Sequence, residues 1–264
     1  MLEVKHVSKT FNPGTVNEKK ALEDISLRLE DGDFVTVVGG NGAGKSTLLN
    51  MIAGVYPIDC GHIVLNGKDM STDPEFRRAR FIGRVFQDPL MGTAGDMAIY
   101  ENMAMANRRG KPRGLRWNVT AQEKEDFKKQ LSRLGLGLED RLTAKVGLLS
   151  GGQRQALTLL MASLQRPELL LLDEHTAALD PLTARKVLEL TEEIVQEEQL
   201  TTLMITHNMN DAIRIGNRLI MMYDGKIILD VRGEEKKKLT VDALHQKFRE
   251  AANEEFSDDR AVLI

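Results

Sequence analysis

The run Gly39-Gly40-Asn41-Gly42-Ala43-Gly44-Lys45-Ser46-Thr47 brings glycines, an ammonium and two hydroxyls together within nine residues. Glycine lets the backbone approach a ligand closely, so that successive N–H groups can converge on phosphate oxygens. Gly39 to Ser46 fits G-x-x-x-x-G-K-S/T, with an apolar strand-like run before it (Phe34 to Val38) and the helix-like GKSTLLNMIAG after it. In that setting Lys45 serves the β and γ phosphates of a nucleoside triphosphate, and the Ser46 hydroxyl serves Mg²⁺. A glycine turn with a solvated lysine is the alternative, and the flanking strand and helix argue against it.

Two further stretches suit the same chemistry. Leu169 to Leu172 reads as a buried strand that ends in Asp173 and Glu174. Ligands of open parallel sheets sit at such carboxyl ends. Asp173 can there orient Mg²⁺ through a water, and Glu174 can polarise a water that attacks phosphorus. Alone, two acids at a strand end read first as a helix cap or a solvated turn; it is the phosphate loop that favours the chemical reading. In LLSGGQRQALTLL, apolar residues recur at Leu157, Leu160, Met161 and Leu164, the spacing of a packed helical face. That helix begins at Ser150, Gly151, Gly152 and Gln153. Its first N–H groups, at the positive end of the helix dipole, can hold an anion.

The elements that must position these groups alternate. LEVKHV, ISLRLE, DFVTVVG, HIVLNG and FIGRVFQ read as strands between turns, and from about 90 to 165 the pattern becomes helical in IYENMAMANRR and AQEKEDFKKQLSRLGL. PLTARKVLELTEEIVQ is a helix and LTTLMITH a buried strand, while NRLIMMYDGKIILD turns back at Asp224-Gly225. The alternation predicts an α/β core with a mainly parallel sheet. The 264 residues carry a net charge of −3, which gives no global pull toward nucleic acid or anionic membrane. The one cysteine, Cys60, excludes an internal disulfide framework and fits a reducing compartment. The start shows no secretory signal, and no apolar run approaches the roughly 18 to 20 residues of a membrane span.

LSGGQ at Leu149 to Gln153, the phosphate loop and LLLLDEHTAALD resemble, in that order, the motifs of ATP-binding cassette (ABC) ATPases. The resemblance runs over roughly residues 1–232. It implies a P-loop core with an N-terminal antiparallel β subdomain and an α-helical subdomain at about 88–165, leaving 233–264 as a charged C-terminal extension. It further implies ATP and Mg²⁺ as cofactors and head-to-tail pairing of two copies. Each ATP then lies between one copy's phosphate loop (Gly39, Asn41, Gly42, Ala43, Gly44, Lys45, Ser46, Thr47) and the other's Ser150, Gly151, Gly152 and Gln153.

By the same resemblance Glu174 is the catalytic base, with Ser46, Gln87 and Asp173 around the metal. Gln87 also touches the attacking water, His207 is the switch at the γ phosphate, Asp180 faces the opposite copy, and Phe11 stacks on adenine. Without the family, Gln87 is a strand-end polar residue, His207 a cap or core residue, and Phe11 a core phenylalanine. One departure is visible: most relatives carry proline after the catalytic glutamate, where this chain has His175, which would add a titratable group near the γ phosphate.

Transport in this family needs separate permease subunits, so the resemblance places the chain at the cytoplasmic face of the cell membrane, with an extracytoplasmic substrate-binding protein as an indirect partner. Long stretches look like ATPases of bacterial importers for aromatic amino acids such as tryptophan or tyrosine. An exporter ATPase and a soluble cassette acting on ribosomes or nucleic acid remain the alternatives; no nucleic-acid partner is expected. Only 104 positions separate Lys45 from Leu149, too few for the long coiled coil of a chromosome ATPase. Met91, Met97, Met103 and Met105 suit either a permease groove or a core. The basic loop Arg108 to Arg113, with Arg116, is either a solvated loop or a contact for anionic lipid.

Overall fold

A computed structural model describes residues 1–111 and 119–261, with side chains through residue 252. Pro112, Arg113 and Arg116 of the basic loop therefore lie outside the described residues. The chain forms two compact units, Met1–Pro74 with Leu203–Ile264, and Glu75–Thr202.

The first unit opens with β1 (Leu2–Phe11) and β2 (Lys19–Leu29), followed by β3 (Phe34–Gly39), α1 (Lys45–Ala53), β4 (Cys60–Leu65) and β5 (Lys68–Asp69). Buried and exposed residues mix along β1 and β2, as in strands that bury one face. These two join β4 and β5 in an antiparallel sheet of order β2-β1-β4-β5. In β3 every residue from Phe34 to Val38 is buried, the mark of a strand covered on both faces.

The second unit carries α2 (Glu75–Arg78), β6 (Ile82–Val85), α3 (Ile99–Asn107), α4 (Ala121–Ser132), α5 (Gly151–Ser163), β7 (Leu169–Asp173) and α6 (Pro181–Glu198). Strands β6 and β7 pair in parallel, from Ile82 opposite Leu169 to Val85 opposite Leu172. The helices share one apolar core, in which Ile99, Met103, Phe127, Leu131, Leu157 and Leu160 are buried. The packed face expected for α5 is thus the one that faces this core. Each of α4, α5 and α6 starts on a side-chain cap, from Thr120, Ser150 and Asp180 respectively.

The chain then enters β8 (Thr202–Ile205), α7 (Met209–Arg214), β9 (Arg218–Tyr223), β10 (Lys226–Arg232), α8 (Gly233–Lys237) and α9 (Val241–Ala261). Within the first unit the strand order is β10-β9-β3-β8, with β3 and β9 parallel from Val35–Arg218 to Gly39–Met222. The β9–β10 turn falls at Asp224-Gly225, both in the positive-φ region. The short α2 and α7 are not legible from periodicity, being little more than single polar turns.

Candidate nucleotide site

The phosphate loop joins β3 to α1, and its glycines are required by contact as well as by conformation. A Cβ on Gly39 would lie 2.2 Å from the Met222 carbonyl oxygen, and one on Gly44 would lie 2.5 Å from that of Ala21. Gly42 and Gly44 take φ of 83° and 96°, where side-chain-bearing residues are strained. Gly44 is also the N-cap of α1 and offers no side chain to the helix start, and no acid occupies the first turn. The helix dipole there favours an anion.

Lys45 is buried, and its Nζ donates to the carbonyls of Gly39 at 2.8 Å and Gly40 at 3.0 Å. A cation resting on its own loop's carbonyl dipoles is suited to phosphate oxygens. Asn41, Gly42 and Ser46 are exposed, Thr47 is half-buried and Ala43 is buried. Phe11, at the end of β1, is no core residue: half-exposed, it meets Tyr56 edge to face at 5.3 Å. His207 follows β8, is exposed, and comes directly after Thr206, whose N–H donates to Val37 of β3 at 3.1 Å. The first unit therefore gathers the phosphate loop, the aromatic residue and the histidine.

The second unit holds the acids and the signature. Asp173 ends β7 half-buried, and Glu174 takes a φ of 43°, a left-handed state that turns its side chain off the strand's alternation. His175 is buried, with Nε2 3.0 Å from Thr191 Oγ1. The Thr191 hydroxyl donates to Val187 O at 2.7 Å, so it accepts from the imidazole Nε2–H. Burial pushes the His175 pKa down to about 4. The ring is thus neutral near pH 7 and engaged with α6, which corrects the expectation of a titrating group at the γ phosphate.

Ser150 and Gln153 form a reciprocal cap on α5, each side chain accepting from the other's N–H at 3.2 Å. Ser150 and Gly151 remain exposed, whereas Gly152 is buried because a Cβ there would lie 2.1 Å from Thr183 Cγ2 of α6. Asp180 caps that helix through the Thr183 N–H at 3.1 Å. Hydrogen bonds from Thr183 hold the Asp180 carboxyl below its ordinary pKa.

Two supporting residues escaped sequence reasoning. Arg154 donates to the carbonyls of Val146, Gly147 and Leu149 and so fixes the loop that enters the signature. Gln155, fully buried on α5, donates to Phe86 O at 3.2 Å and ties the signature helix to the residue before the exposed Gln87. A polar residue in an apolar helical stripe was the available signal for Gln155; for Arg154 there was none.

Among the described residues no group of three or more His, Cys, Asp or Glu could hold a metal ion. Mg²⁺ is commonly held by one or two protein oxygens together with phosphates; the Ser46 hydroxyl in the first unit and the Asp173 carboxylate in the second are each donors of the type it takes.

A glycine-enforced phosphate loop and a capped serine-glycine helix start together define an ATP-hydrolysing cassette. The chain belongs to the ABC transporter family, whose model matches residues 22–177. It is 44% identical over 252 residues to the tyrosine transport ATP-binding protein of Clostridioides difficile (strain R20291), covering 95% of this chain and 100% of the relative. The methionine import ATP-binding protein MetN 2 of Enterococcus faecalis is 36% identical; the match covers 86% of this chain and 64% of that longer protein. Among solved structures, a dimeric ATP-binding cassette in a post-hydrolysis state with ADP and Pi superposes with a TM-score of 0.75 at 28% identity, over 88% of this chain and 98% of that one. The ADP conformation of another transporter cassette gives 0.75 and 28%, over 90% and 93%.

Proposed function

We propose that two copies of this chain pair head to tail around ATP at the cytoplasmic face of a bacterial membrane and power the import of a small solute of the aromatic amino-acid type. The exposed, capped start of α5 carries the pairing: it presents Ser150 and Gly151 as an anion site on the surface. A contact made only to the γ phosphate distinguishes ATP from ADP, so hydrolysis opens the pair.

The loop N–H groups and Lys45 bind the phosphates, Phe11 takes the adenine, and Glu174 accepts a proton from the attacking water. Gln87 and His207 orient that water and the γ phosphate. Ser46, Gln87 and Asp173 would hold Mg²⁺, which neutralises charge on the phosphates. Residues 1–232 constitute the ATPase domain, with its helical lobe at about 88–165, and 233–264 an extension. The 44% identity along the full length of a tyrosine transport ATP-binding protein supports the cargo class.

No helix among the described residues is long and apolar enough to cross a membrane, so transport requires a permease. In the second unit a groove of about 350 Å³ is lined by Met91, Met105 and Met161 together with Arg84 and Arg109. Met91 is 70% and Met105 49% exposed, while Met103 is wholly buried in the lobe's core. The methionine run thus divides between groove and core. Flexible thioethers suit a docked apolar helix, and the guanidinium groups suit an acid upon it. We assign the groove to a short, acidic cytoplasmic helix of the permease.

The test is to purify the membrane complex through this subunit, identify its partners, and measure which amino acids stimulate its ATPase. A permease, a substrate-binding protein and stimulation by an aromatic amino acid are expected. Ribosomal proteins or nucleic acid in their place would overturn the reading.

A further inference from the structure

Arg84 belongs to two places at once. Its side chain lines the groove, and its Nη2 lies 3.7 Å from Asp173 Oδ2 at the end of β7. The parallel register explains this. Arg84 pairs with Leu171, and Asp173, two residues further along β7, projects from the same face as Leu171. The guanidinium carbon also sits 4.5 Å from the Phe86 ring centroid, a cation–π contact. The side chains of Arg84 and Asp173 are only 13% and 16% exposed.

At 3.7 Å the ion pair is longer than a charge-assisted hydrogen bond of about 2.7–2.9 Å. A cation held beside Asp173 opposes a divalent cation at the same carboxylate. The described groove lining contains two guanidinium groups and no carboxylate. Arg109 Nη2 donates to Ala162 O at 3.1 Å, while its buried Nε has no partner. An acid that enters with an apolar segment sheds water and meets these donors in a low-dielectric site, where ion pairs gain strength.

We propose that Arg84 is a positioning residue that links the groove to the magnesium carboxylate: it engages Asp173 when the groove is empty, and a carboxylate on the seated segment draws it away and frees Asp173 for Mg²⁺. The inference rests on the assigned roles of Asp173 and of the groove. Docking of the membrane partner would then raise the metal affinity of the hydrolytic site without any change at the phosphate loop.

The test uses the full chain with a non-hydrolysable ATP analogue and Mn²⁺ as probe, free Mn²⁺ being followed by electron paramagnetic resonance. Arg84→Met should tighten Mn²⁺ binding by about fivefold or more, since it removes a cation 3.7 Å from the carboxylate in a largely buried pair. Arg84→Lys, which keeps the cation, should stay within about twofold of the unaltered chain. In the complex purified from membranes, Mn²⁺ should bind about fivefold more tightly than in the isolated subunit, and Arg84→Met should erase that difference. Unchanged or weaker Mn²⁺ binding in a folded Arg84→Met chain, or a complex-dependent difference that survives the substitution, overturns the link. Asp173→Asn separates the two levels: if it leaves Mn²⁺ binding intact, the assigned role of Asp173 fails, whatever Arg84 does.

Discussion

Glu174 and His175 are neighbours with opposite assignments. The positive φ of Glu174 is a strained state that places its carboxylate just past the strand end. Glu174→Gln preserves shape and removes the base, so turnover should fall about 10² to 10⁴-fold with ATP affinity retained. Steady-state ATPase rates and nucleotide titration check this, and an unchanged rate would refute the assignment. His175 turns inward to Thr191, with its pKa pushed down to about 4 from an ordinary 6.5. The unfolded chain binds the extra proton between those values. The stability owed to the neutral ring is therefore complete above about pH 6.5 and lost as the pH falls toward 4. The loss is at most about 3 kcal/mol. His175→Asn should flatten the fall of Tm between pH 6.5 and 4.5, whereas an equally steep fall in the variant would exonerate the histidine.

Helix starts and strand ends do the positioning at the next scale. Helix α5 can begin at Gly151 because Ser150 and Gln153 satisfy each other's N–H groups, and it can lie against α6 because Gly152 has no Cβ. Gly152→Ala should destabilise the chain by about 1–3 kcal/mol through overpacking. Adding Thr183→Ser, which deletes the methyl in the way, should restore most of the lost Tm. Failure of that rescue would mean that the clash lies elsewhere. Helix α9 supports the phosphate loop from the first unit's own side: the Phe248 ring meets Tyr223 edge to face at 5.2 Å and would lie 3.1 Å from a Cβ on Gly40. Phe248→Ala should therefore weaken ATP binding by about twofold to tenfold, as read by calorimetry, with no loss of maximal rate per bound nucleotide.

For the whole molecule the property to test is the proposed association governed by nucleotide. Ser150→Arg should leave a subunit that binds ATP but does not pair, because a long cation replaces the small cap at the signature. Size-exclusion chromatography with ATP on a Glu174→Gln background reads this directly. A dimer that persists with arginine at position 150 would place the second ATP contact elsewhere. Lys45→Ala should abolish both binding and pairing.

The family and its ATPase class were legible in the chain because each motif is local. Gly39 to Thr47, Asp173 with Glu174, and Ser150 to Gln153 lie at a strand end or a helix start, and hydrophobic spacing announces those elements. Contacts between residues distant in sequence were invisible. Nothing in SGGQ says that Thr183 forbids a side chain at Gly152, nor in DEHT that His175 turns toward α6 and stays neutral. Nothing in FIGRVFQ says that Arg84 reaches Asp173 through a parallel register 89 positions away. Which methionines face a groove and which a core was likewise decided by packing, since burial depends on what the rest of the chain lays over a helix, and periodicity describes one helix at a time.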